Sequence, residues 1–154
     1  MDIANLLEKD KIQQVLLRYA TVLDERDWPA LSEIFLSESL AHYEGLGLFD
    51  GLPVIQRVIR EFLEACGNTQ HLIGNIRIDV RGNRASARSY LLGTYPGLGC
   101  YLGKTLMVWG ENVDEFELHA QGWRIARRRT SLRHVTGDIG LTIKGVSPLI
   151  ESQM

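Results

Sequence analysis

The hydrophobic period of this chain changes from 3.6 to 2 near residue 75, and that switch limits the fold more than any other feature. Before it, Ile12, Val15, Leu16, Tyr19 and Leu23 recur at helical spacing, with Asn5 and Glu8, or Asp10, as candidate caps. Asp27 is placed to cap a second, short helix with Pro29 near its first turn and Leu31, Ile34 and Phe35 facing inward. Residues 39–50 read as short strands or irregular structure. Asp50-Gly51-Leu52-Pro53 opens a third helix striped by Val54, Ile55, Val58, Ile59, Phe62 and Leu63, and Gly67 is the expected left-handed stop. After the switch, Ile76, Ile78 and Val80 alternate with Arg77, Asp79 and Arg81. Gly82-Asn83 and Gln121-Gly122 mark hairpin turns, bounding strands over about 84–95, 105–119 and 123–134.

Helices first and hairpin-linked strands afterwards define an α+β chain. Strands of this length must twist and curl, and bulges normally supply the bend. An apparent change of apolar parity between Val108 and Val113 places one bend near Gly110. The predicted architecture is a cone-shaped α+β barrel: three N-terminal helices on a curved, mostly antiparallel sheet that encloses a pocket. The domain is expected over residues 1–135, with 136–154 a tail covering the pocket or a subunit interface.

A chain of 154 residues, 45% hydrophobic, can bury a full core as one domain. Its net charge of -2 argues against nucleic acid and against an anionic membrane as partners. Arg124, Arg127, Arg128, Arg129 and Arg133 interleave with Trp123, Ile125 and Leu132, the pattern of an alternating strand rather than a phosphate site. No run approaches the ~20 apolar residues of a membrane span. The opening MDIANLLEKDK lacks a signal-peptide core, so a cytoplasmic location is expected. Cys66 and Cys100 form neither a metal-ligand spacing nor a disulfide framework.

Two residues stand out for chemistry. Asp24 lies about 100° from the centre of the first helix's apolar stripe, at the edge of its buried face. His71 lies where a helix hands over to a strand. Together they would make a general base, the carboxylate orienting an imidazole that takes a proton from carbon. The structural alternative is a salt bridge tying the first helix to the sheet. In a regular strand His71 would share a face with Arg77 and Asp79, so reaching the interior requires a bulge or irregular entry near Gly74-Asn75. Arg127 and Arg129 share strand parity with Trp123 and Ile125, so with Trp123 facing the core at least one of them is predicted to point toward the pocket, Arg129 preferred. There an arginine would steady developing negative charge; alternatively it pairs with Asp24, Glu44 or Glu111 at the rim. Tyr19, Trp28, Tyr43, Phe49, Phe62, Tyr90, Tyr95 and Trp109 are the candidate walls of a site for a small hydrophobic molecule. His42, His119 and His134 read as surface or rim residues.

Four stretches carry a family resemblance: KIQQVLLRYATVLDERDWPALSEIF, FDGLPVIQRVIREF, NTQHLIGNIRIDVRGNRASARSYL and GWRIARRRTSL. In this order, over residues 5–135, they resemble the SnoaL-like branch of the nuclear transport factor 2-like superfamily. Within that branch Asp24 and His71 look like the catalytic Asp–His pair of scytalone dehydratase and of hexachlorocyclohexane dehydrochlorinase. The resemblance implies a lyase that eliminates water or HCl with no metal or organic cofactor, and a homodimer or homotrimer. Ketone isomerisation or polyketide cyclisation could use the same base, and a non-catalytic module, like the small subunits of ring-hydroxylating dioxygenases, shares the fold. Scytalone dehydratase has a tyrosine before its aspartate, where this chain has Leu23; Tyr43 lies near its second water-holding tyrosine. The dehydrochlorinase has a lysine close to its dyad, where this chain offers Tyr19.

Overall fold

The first helix begins earlier than its candidate caps imply. In the computed structural model, which describes residues 2–141, α1 spans Ile3–Glu25, and the Asp2 side chain accepts from the Asn5 N–H at 2.7 Å. It buries Ile12, Leu16, Tyr19, Val22 and Leu23. The second helix is a 3-10 turn, Trp28–Glu33, entered through Pro29. α2 spans Leu52–Glu64 and buries Ile55, Val58, Ile59, Phe62 and Leu63 along one stripe. It ends at Ala65, and Gly67 does not take the left-handed conformation. Gly67 instead donates its N–H to the Pro96 carbonyl at 2.9 Å.

Among the described residues six strands follow or interleave: β1 Phe35–Tyr43, β2 Gly47–Asp50, β3 Gln70–Arg81, β4 Arg84–Pro96, β5 Thr105–His119 and β6 Gly122–Thr136. They form one sheet in the order β2-β1-β6-β5-β4-β3. All pairs are antiparallel except β1 with β6. The sheet curves around the helices without closing on itself, giving the α+β cone expected from the sequence. α1 packs on β3 and α2 on β1. Among the described residues, no helix is long and apolar enough to cross a membrane.

Three irregularities set which side chains face inward. In β3 the register shifts between Gly74 and Arg77, with Asn75 at φ 47, so the irregular entry that His71 needs is present. In β6 Ala126 is an extra residue opposite the Glu115–Phe116 step of β5. It reverses the parity after Ile125, so Arg128 and Thr130 turn inward. Arg133 is a second extra residue in β6, opposite Trp109–Gly110. β5 itself keeps one phase: Leu106, Val108, Asn112, Asp114 and Phe116 are all buried. The parity change expected at Gly110 is therefore absent, because the inward positions become polar there rather than changing side. Ile139 and Leu141 join the core. The rest of the expected tail, 142–154, lies outside the described residues.

Candidate active site

Asp24 sits in the last turn of α1, where the helix dipole disfavours a carboxylate. Three donors compensate. His71 Nδ1 lies 2.6 Å from Oδ1, the His71 backbone N–H donates to Oδ2 at 2.9 Å, and the Thr69 hydroxyl donates to Oδ1 at 3.0 Å. Burial alone would raise the Asp24 carboxyl. The His71 hydrogen bonds, side chain and backbone, and the His71 and Thr69 interactions after them, outweigh it and leave the carboxyl below its ordinary value. With Asp24 ionised, His71 donates from Nδ1–H and keeps Nε2 as its basic atom.

That Nε2 meets the Tyr95 hydroxyl at 3.0 Å. Burial pushes the Tyr95 phenol well up, so it holds its proton and donates to Nε2. The pairing depends on Gly93, which lies opposite His71 in the β3–β4 register. A Cβ on Gly93 would fall 2.3 Å from the Tyr95 hydroxyl, so only glycine lets the ring lie across the strand toward His71. Phe62 braces the same ring edge-on at 5.2 Å.

The chain Asp24–His71–Tyr95 ends at a cavity of about 80 Å³. Leu23, Ile59, Phe62, Leu91 and Val108 make its apolar wall, and Tyr19, Tyr43, Asn112 and Thr130 its polar patches. Leu63, Leu132 and, from the turn between β1 and β2, Leu46 and Glu44 complete the lining. The Tyr19 and Tyr43 hydroxyls meet at 3.2 Å, and burial raises the Tyr43 phenol well above its usual value. Thr130 donates to Asn112 Oδ1 at 2.6 Å, and the buried Asn112 Nδ2 has no partner among the described residues. One step along the inner face, Arg128 Nε and Nη2 donate to the two Asp114 oxygens at 2.7 and 2.8 Å. Its guanidinium lies 4.3 Å from the centre of the Tyr19 ring, and its Nη1 has no partner among the described residues. Burial works against the charge on Arg128, and Asp114 more than offsets it, so its pKa is raised.

Several sequence expectations take different positions. Arg127 and Arg129 are exposed on the outer face, because the extra Ala126 reverses their parity; Arg128 is the inward arginine, one row behind the cavity wall. Tyr90 and Trp109 also lie on the outer face. Leu92, Trp109 and His134 are paired across β4, β5 and β6, and Tyr90 stacks with the Arg133 guanidinium. Trp28 and Phe49 are buried, yet neither lines the cavity: Trp28 donates from Nε1 to Glu64 at 3.3 Å, and Phe49 packs beside Tyr43. Tyr19, Tyr43 and Phe62 are lining residues. Asn112, Thr130 and Leu46 were missed. Asn112 carries a readable signal, since even-numbered positions run inward from Leu106 to Phe116 and a polar residue among them is anomalous.

A curved sheet with an internal Asp–His pair beneath its helices is the architecture of a cone-fold protein built around an inner cavity. The SnoaL-like domain model matches residues 4–129, and the chain belongs to that family. An uncharacterized protein of Mycobacterium tuberculosis is 28% identical over 134 residues, covering 83% of this chain and 87% of the relative. Among solved structures, a Novosphingobium aromaticivorans protein provisionally named a scytalone dehydratase superposes with a TM-score of 0.81 at 20% identity, covering 96% of this chain and 97% of that one. Hexachlorocyclohexane dehydrochlorinase type 3 of Novosphingobium barchaimii gives 0.78 at 15% identity, with 93% and 98% covered. At these identities the two structures speak for the fold.

Proposed function

We propose that this chain is a cofactor-independent lyase that eliminates water or a similar leaving group from a small hydrophobic cyclic or aromatic substrate, with His71 as base. The observation that carries the reading is the hydrogen-bonded series Asp24–His71–Tyr95, which runs from an ionised carboxylate to a cavity wall. Neighbours of this fold named for dehydration and dehydrochlorination support it. Asp24 fixes the tautomer and stabilises the imidazolium that forms. Because Tyr95 occupies Nε2, the substrate proton passes to the Tyr95 oxygen as the phenolic proton moves to Nε2. The breaking C–H pair becomes the new double bond, and the carbon–oxygen bond opposite it breaks. The proton returned from His71 through Tyr95 completes the departing water. Asn112 Nδ2 donates to a carbonyl oxygen on the substrate, satisfying a donor that is unpaired among the described residues.

The cavity of about 80 Å³ is smaller than the ~150 Å³ that holds a benzene ring. A cyclic substrate therefore requires the Leu46 turn to swing out, and Gly45 and Gly47, both at positive φ, flank it. The same small volume favours the second reading, a non-catalytic binding or assembly module. Isomerisation or cyclisation would use the same base with a different fate for the proton.

The test is a panel of β-hydroxy cyclic ketones, followed by enone absorbance, and of hexachlorocyclohexane, followed by chloride release. Folded His71→Ala and Asp24→Asn proteins are expected to lose about 10²–10⁴-fold in turnover. Tyr95→Phe is expected to lose a similar factor if the relay operates. Full turnover in His71→Ala would remove the proposed base, and a wild-type protein inert to the whole panel would move the binding module to first place.

A further inference from the structure

Arg26 occupies an unusual position for a charged residue. It is the C-cap of α1, held at φ 60 and ψ 32, a left-handed conformation for which glycine is the ordinary choice. The guanidinium, however, makes four hydrogen bonds that glycine cannot. Nη1 donates to the Leu23 carbonyl at 2.7 Å and to the Thr69 hydroxyl at 2.8 Å. Nη2 donates to the Leu63 carbonyl at 3.1 Å and the Gly67 carbonyl at 2.8 Å. One side chain thus gathers the last turn of α1, the last turn of α2 and the connection that leads into β3.

The contact with Thr69 has a directional consequence. A hydroxyl carries one proton. Because the Thr69 oxygen accepts from a permanent cation, that proton is free to point at Asp24 Oδ1, 3.0 Å away. The carboxylate is then held on both oxygens, by Thr69 and His71 Nδ1–H on one and the His71 backbone on the other. Left-handed strain at a non-glycine residue is retained where the surroundings over-determine it, and such sites cluster near function.

We infer that Arg26 is the positioning residue of the Asp24–His71 pair, acting through the Thr69 hydroxyl to set the plane of the carboxylate and, through it, the tautomer of His71. Its catalytic consequence rests on the reading of that pair as the proton-transfer site, whereas the positioning itself needs no substrate.

The experiment is ¹⁵N-edited spectroscopy of the histidine-labelled protein, with His71→Gln used to assign the His71 ring signals. The wild-type ring is expected as a single Nδ1–H tautomer with a slowly exchanging, downfield proton. Arg26→Gly suits φ 60, so the helix end is preserved while the guanidinium is lost. Thr69→Val removes only the hydroxyl and leaves the three Arg26–carbonyl bonds. Both variants are expected to show mixed tautomers and Nδ1–H exchange about tenfold faster, the equivalent of one hydrogen bond to a charged group. Thr69→Ser is expected to restore the wild-type signature. A folded Arg26→Gly or Thr69→Val protein that keeps the wild-type tautomer and exchange rate overturns the inference, and Thr69→Val decides it if Arg26→Gly does not fold. An intact wild-type signature with no turnover across the substrate panel would count against the lyase reading alone.

Discussion

Replacing Asp114 with asparagine keeps the volume of the side chain and removes its charge, so it isolates what the buried pair with Arg128 contributes. Both side chains are almost fully enclosed, at 0% and 1% exposure. Two N–H groups of Arg128 converge on the two carboxylate oxygens at 2.7 and 2.8 Å. An asparagine can accept only one of them, and its NH₂ would face a guanidinium donor. The cation would remain buried against the Tyr19 and Phe35 rings. Breaking a buried pair in this way costs about 3–5 kcal/mol. For a domain of this length that corresponds to a fall of about 6–20 °C in Tm. Urea denaturation of the purified protein should show the midpoint moving down with the slope unchanged. The double variant Asp114→Leu/Arg128→Met discards both charges at similar volume and should recover most of the loss, since apolar replacements of buried pairs are often neutral or stabilising. A single variant within about 1 kcal/mol of wild type, or a double variant no more stable than the single, would refute the reasoning.

Three shorter expectations follow from the same geometry. The Asp24 carboxyl lies below its unfolded value, so its contribution to stability is complete above about pH 4 and disappears as pH falls through the folded value; urea curves at pH 6, 4 and 3 should show the gap between wild type and Asp24→Asn closing only on the acid side. Gly93→Ala would drive a methyl group into the Tyr95 ring and should cost about 1–3 kcal/mol, and a crystal structure of it in which Tyr95 still touches His71 Nε2 would contradict the argument. Arg129→Ala, on the outer face, should change stability by no more than about 0.5 kcal/mol, against a large loss for Arg128→Ala in the same denaturation assay.

The helices and the hairpin order were readable because each carries an unbroken period: the α2 stripe and the alternation through Ile76, Ile78 and Val80 each point to one element type. The entry of His71 was readable for a different reason. A straight strand would have put it beside Arg77 and Asp79, and Gly74-Asn75 offered the one local chemistry that could prevent this. The inner wall of the site was harder to see. Asn112 and Asp114 occupy core positions, and a polar residue there looks in the sequence like a strand that has changed sides. The inward arginine was hidden more completely, because the extra residue sits at Ala126, before a run of three identical side chains that gives the period nothing to register. Tyr95 is half legible: a glycine inside a strand signals a close approach, but which ring approaches Gly93 depends on the β3–β4 register.

The single extra residue in β6 works as a frame marker. Downstream of it the pleat is read one letter late, so that of Arg127, Arg128 and Arg129 only the middle one is delivered to Asp114. The side chains cannot make that choice among themselves, since they are the same. Among related chains, then, the spacing between the tryptophan at the start of this strand and the polar residue facing Asn112 is more informative about the interior than the presence of any particular arginine. Were Ala126 paired regularly with Glu115 instead of standing as an extra residue, the same strand would bring two cations inward and turn the one that has a partner out into water.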